Sequence, residues 1–159
     1  MHRVAAFVTL TLLGSLALAQ PVARPQGKNC DIPDPPADAG EEINHGYVLR
    51  VFPRAKDIGA SYTGCQLLWH PVGSKWLTVA VTQVVNGDPV RVWSPEDPKG
   101  SRSACAYRQG RVIRGNPETC PSPRFLLVKS LPPGCAERIR SQATDSSAAG
   151  SWPSDCQYD

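Results

Sequence analysis

Two histidines in the body of the chain, His45 and His70, are the side chains best suited to move protons near neutrality. With Lys75 beside them they could act as acid and base in RNA cleavage, the lysine steadying the phosphorane-like charge. Neither sits in a motif that fixes such a geometry. Asn44-His45-Gly46 reads as a turn, and His70 stands before Pro71 at the end of an apolar run.

Other enzyme signatures fail on inspection. Gly59-Ala60-Ser61-Tyr62-Thr63 begins like a nucleophile elbow but ends on Thr63 where a glycine is needed. Gly59 to Gly64 has the spacing of a phosphate loop, yet Cys65-Gln66 replaces the Lys-Ser/Thr pair that would hold phosphate and magnesium. Glu41-Glu42 belongs to an acidic stretch. Glu96-Asp97 lies in a loop rich in Pro, Gly and Ser, without the alternating oxygen ligands of calcium loops. Such neighbouring carboxylates solvate a segment more often than they cleave a glycosidic bond. No metal or other cofactor is expected.

Charge segregation is a stronger clue. From Lys99 to Lys129 seven basic residues face Glu118 alone, while from Lys28 to Glu42 five acidic residues accompany only Lys28. Within the basic stretch, Arg108, Arg111 and Arg114 surround Gln109-Gly110. The bland reading has the acidic arm and the basic stretch neutralise each other. The sharper one is a basic patch that recognises an anionic partner, a protein or an anionic envelope ligand, and speeds encounter through its field. Trp76, Arg91 and Trp93 form a second candidate binding surface. Nucleic acid is not expected as a partner, because the net charge is only +3.

These residues need positioning elements, and the pattern supplies short strands. Tyr47 to Phe52, Tyr62 to Trp69, Trp76 to Val85 and Val90 to Trp93 are β-like runs separated by turn residues. Asn86-Gly87 between two β-branched runs marks a hairpin. Strict alternation along it sets Leu77, Val79, Val81, Val85, Val90 and Val92 on a core face, with Trp76, Thr78, Ala80, Thr82, Val84, Arg91 and Trp93 opposite. A second hairpin over Ala104 to Arg114, turning at Gln109-Gly110, sets Tyr107 against Val112 and Arg108 against Arg111. Opposed like charges are unfavourable, so this tip must be solvated or meet something acidic. A last strand is expected over Arg124 to Lys129, and a short helix over Cys135 to Ala143.

The chain therefore divides into a leader over 1–19, an extended arm over 20–43, a β domain over 44–133, and a helix with a disulfide-anchored tail over 134–159. The expected fold is mainly β: an antiparallel meander of five to seven short strands with a short C-terminal helix, stapled by disulfides.

The address follows from the ends and the cysteines. His2 and Arg3 precede a 13-residue run, Val4 to Leu16, and Ala17-Leu18-Ala19 offers the small-x-small cleavage pattern of a secretory signal. As a helix that run rises about 20 Å, short of a bilayer core of about 30 Å. No later segment is apolar enough for a membrane span. Cleavage after Ala19 leaves 16 Lys plus Arg against 14 Asp plus Glu.

The six cysteines, Cys30, Cys65, Cys105, Cys120, Cys135 and Cys156, are spaced by 35, 40, 15, 15 and 21 residues, without a C-x-x-C pair. That suits disulfides in a secreted chain rather than a zinc or redox site. Cys105 with Cys120 is the expected pairing, because it closes the base of the second hairpin. The functional expectation is a periplasmic or secreted binding protein, such as an inhibitor, an immunity-type protein or a ligand-binding module. The alternative is a small secreted hydrolase of ribonuclease type using His45 and His70.

Overall fold

A computed structural model describes residues 27–95, 104–122, 126–144 and 153–159. The proposed leader, the Glu96-Asp97 loop and Arg124 lie outside these residues. Seven strands form one antiparallel sheet in sequence order. They are β1 (Gly40–Asn44), β2 (Tyr47–Phe52), β3 (Gly64–Val72), β4 (Lys75–Val85), β5 (Asp88–Trp93), β6 (Cys105–Arg108) and β7 (Arg111–Arg114), followed by helix α1 (Cys135–Thr144). The fold is the mainly β meander that the alternating runs predict. Strand β1 starts inside the segment read as an arm, and β3 continues through His70 and Pro71 to Val72.

Tight turns set the meander. His45-Gly46, Asn86-Gly87 and Gln109-Gly110 each have two successive positive φ values, at 48° and 83°, 51° and 79°, and 49° and 70°. Those are type I′ turns, whose twist matches that of the strands they join.

Bulges change which side chains share a face. Leu68 pairs with Ala80 but Trp69 pairs with Thr78, so Val79 is an extra residue and every later side chain on β4 changes sides. The first face carries Phe52, Cys65, Leu67, Trp69, Trp76, Val81 and Trp93. The second carries Leu49, Val51, Thr82, Val84, Val92, Cys105 and Tyr107. Val81 therefore packs on the tryptophan side and Val84 on the other, a correction to strict alternation along the hairpin. Both faces can be apolar because both are covered.

The coverings are held by named contacts. On the first face, Cys30 is bonded to Cys65, and Ile32 packs beside it. Across the second face runs the segment from Leu126 to Ser130. Buried Gln66 acts there as a surrogate backbone: its Nε2 donates to Pro53 and Val128 carbonyls, and its Oε1 accepts from the Val128 N–H at 2.7 Å. The Thr82 hydroxyl donates to the Leu126 carbonyl at 2.9 Å, and Leu126 packs on Cys105 and Tyr107. The described part of the strand expected at Arg124 to Lys129, from Leu126 on, is thus a crossing segment fastened by side chains rather than by a ladder.

That segment then wraps the β1 edge. Glu41 and Leu131 exchange backbone hydrogen bonds at 2.9 and 2.7 Å. Gly40 is required here, since a Cβ would collide with the Ser130 side chain. Beyond the edge, α1 packs Ile139 against Leu131, Cys135 and Cys156, with Ile43 of β1 beneath. The tail closes back: Asp159 pairs with Arg54 at 3.0 Å and accepts from the Ser130 N–H. Disulfides join Cys30 to Cys65, Cys105 to Cys120 and Cys135 to Cys156. The second is the pairing expected from the hairpin base.

Candidate functional site

The β6–β7 hairpin is built as its sequence requires, with Arg108 directly opposite Arg111 and Tyr107 opposite Val112. Tyr107 is buried and its hydroxyl donates to the Pro121 carbonyl, while the Cys105–Cys120 bond closes the base. One side of the hairpin is thereby tied into the core, and burial pushes the Tyr107 phenol up from its ordinary pKa.

A bulge shapes the other side. Ala106 pairs with Arg114 while Tyr107 pairs with Val112, leaving Ile113 as the extra residue. Plain alternation would send Arg111 and Arg114 to opposite faces. The bulge instead brings Arg114 onto the face of Arg108 and Arg111, about 7 Å along the strand from that pair. Arg91 shares the face through its pairing with Ala106. Its guanidinium lies over the Trp93 ring at 5.2 Å, a cation–π contact.

Arg108, Arg111 and Arg114 are exposed, and no carboxylate among the described residues is within ion-pair distance of them. Glu41 pairs with Arg50 at 3.2 Å, and β1 is at the opposite edge of the sheet from β7. Six strand spacings separate those edges, about 29 Å along the sheet, against a screening length of about 8 Å. Among the described residues no ion pair joins the acidic arm to these arginines.

Trp76 and Trp93 are half-buried and pack against Cys65, Leu67, Trp69 and Val81. Both pack on the core of the first face, and Trp76 also lines a pocket beside Tyr47, Arg50 and Pro71. The histidines are differently held. His45 is exposed in its turn and hydrogen-bonded to the Asn44 side chain. His70 is half-buried with its ring 4.6 Å from that of Tyr47. Lys75 is exposed, and among the described residues no hydrogen bond joins these three side chains.

Sequence reasoning missed a cavity on the second face. Leu49, Leu68, Leu127 and Val128 line a space of about 620 Å³, with Glu42 and Lys129 at its polar margin. By composition alone Glu41-Glu42 belongs to a solvated acidic arm. The signal available was the Asn44-His45-Gly46 turn, which needs a strand on both sides and so places Glu41 and Glu42 on β1. Burial raises the Glu42 carboxyl above its usual range.

A raised folded pKa favours the protonated form. Its stabilising contribution is complete below the unfolded value of about 4.3 and is lost as pH rises through the folded one. Glu42→Gln should therefore melt like the wild type at pH 4 and higher than the wild type at pH 7. Thermal melts at the two pH values check this, and an equal difference at both would contradict it.

One cluster has the appearance of a metal site: Cys135, Asp155 and Cys156 bring their ligand atoms within 4.8 Å. Its two sulfurs are joined to each other, and Arg138 lies against them while pairing with Asp155 at 2.8 Å. That arginine holds the Asp155 carboxyl below its ordinary pKa. No described cysteine is free, a state consistent with an oxidising, extracellular or periplasmic compartment. Among the described residues no helix is long and apolar enough to cross a membrane. The chain matches no protein-family model, no curated protein and no solved structure.

Proposed function

We propose that this is an exported, non-enzymatic binding protein, of the inhibitor, immunity or ligand-capture kind, that recognises an anionic protein through its basic hairpin. Export is supported by Ala17-Leu18-Ala19 after a short apolar run, together with three disulfides. The observation that carries the recognition reading is the bulge at Ile113. It gathers Arg108, Arg111 and Arg114 on one exposed face with no carboxylate partner among the described residues.

Holding opposed arginines together costs a few tenths of a kcal/mol or more unless something acidic meets them. Concentrated charge at a rigid tip steers an oppositely charged partner and mainly sets its association rate. The Arg108→Ser/Arg111→Ser variant should associate about tenfold more slowly with a partner recovered from envelope or extracellular extracts, at low salt. Dissociation should change less, and the melting temperature should hold, because both side chains are exposed. Raising the salt should erase the difference between variant and wild type. Equal association rates at low salt would remove the hairpin as the recognition surface.

A further inference from the structure

We propose that the partner engages the outer edge of β7 as an added strand, contributing an extended acidic segment. This rests on the reading of the basic hairpin as the recognition surface and specifies how that surface is used.

The two sheet edges are treated differently. At β1 the backbone of Glu41 is already paired with Leu131. At β7 no described residue pairs with the outer side, Arg111 and Arg114 are exposed, and Ile113 is 56% exposed. The type I′ turn fixes the phase of the ladder. Arg108 and Arg111 flank it and form the hydrogen-bonded pair, so the N–H and carbonyl of Val112 point away from β6. A ready donor and acceptor are therefore presented beside an exposed apolar side chain.

Charge selects the occupant. A second copy of this chain pairing edge to edge would bring Arg111 and Arg114 against their own counterparts, which is unfavourable. A segment with Asp or Glu at alternate positions turns the same repulsion into attraction. Backbone bonds would then give affinity and the arginines selectivity, the usual division in strand addition. The bulge and arginines that guard the edge against self-association thus admit an acidic strand.

The test uses the unmodified protein and a capped octapeptide of alternating Glu and Val, with two isomers N-methylated on all Glu or on all Val amides. Along an extended strand alternate amides point the same way, and in antiparallel addition with Glu on the arginine face the Val amides meet Val112, so only the Val-methylated isomer blocks the edge facing β7. We expect the parent peptide to bind, one isomer to bind at least about tenfold more weakly, and the other to stay within about threefold. Equal binding by both isomers, or none by the parent, would overturn strand addition. The Arg108→Ser/Arg111→Ser variant separates the two proposals. If it loses affinity while both isomers bind alike, the basic tip stands and the edge mode falls. If it binds the parent as tightly as wild type with unchanged salt dependence, the hairpin reading falls instead.

Discussion

Reduction of the three disulfides is expected to unfold the protein at room temperature. The loops they close span 35, 15 and 21 residues. In the chain-entropy treatment such links contribute roughly 4, 3 and 3 kcal/mol by restricting the unfolded chain. Together these approach the whole stability of an ordinary domain, about 5–15 kcal/mol. Each bond also fastens a segment that lies outside the strand ladder. Cys30 ties the arm to β3, where Lys28 bridges Gly64 among the described residues. Cys105–Cys120 closes the loop beneath the basic hairpin, and Cys135–Cys156 brings the tail to the start of α1. Urea melts with and without reductant measure the effect. A reduced protein that keeps a cooperative transition within about 3 kcal/mol of the oxidised one would contradict this account.

Much of this architecture was legible in the sequence, for a local reason. Asn86-Gly87 sits between β-branched runs, where a positive φ at both turn positions suits Asn and Gly, and Gln109-Gly110 stands between two short strands with Gly at the second position. The opposition of Arg108 and Arg111 followed from that turn alone. The bulges at Val79 and Ile113 were not legible. An inserted residue has no composition of its own, and it arises where two strands must bend together.

With a third bulge at Val90, which sets Val92 on the face opposite Val81, those two residues account for most of the departures from strict alternation. Val79 exchanges the faces of β4, so Val81 and Val84 each serve the side opposite to the one expected. Ile113 delivers Arg114 to the arginine face, strengthening a site whose centre the sequence already marked. Leu126 to Val128 looked like a strand because it is apolar. Its partners are Gln66 and Thr82 side chains from strands 44 or more residues away in sequence, which periodicity cannot register.

The Glu41→Ala variant is expected to lose about 3 kcal/mol of stability. Glu41 is 3% exposed, and its carboxylate works in two directions. Its Oε2 accepts from the Ala136 N–H at 2.7 Å, and its Oε1 meets Arg50 at 3.2 Å. Ala136 is in the first turn of α1, where N–H groups have no acceptor within the helix and the local field favours an anion. A strand residue thus caps a helix 95 positions later in sequence. Alanine would leave a fully buried N–H unsatisfied and the Arg50 guanidinium with the Ala39 carbonyl, 3.4 Å away, in place of a carboxylate. The Arg50 side chain keeps 28% of its exposure, which places the cost at the low end for a broken buried pair. Glu41→Gln retains an acceptor for the N–H and should lose only about half as much. Combining Glu41→Ala with Arg50→Ala should cost less than the two single losses added, because both remove the same ion pair. Denaturant melts of the four proteins test this, with hydrogen exchange at Ala136 reporting loosening of α1. A loss below about 1 kcal/mol for Glu41→Ala would show that water replaces the carboxylate freely. Partner binding at the β6–β7 hairpin should be unaffected in every variant, since β1 and β7 are opposite edges of the sheet.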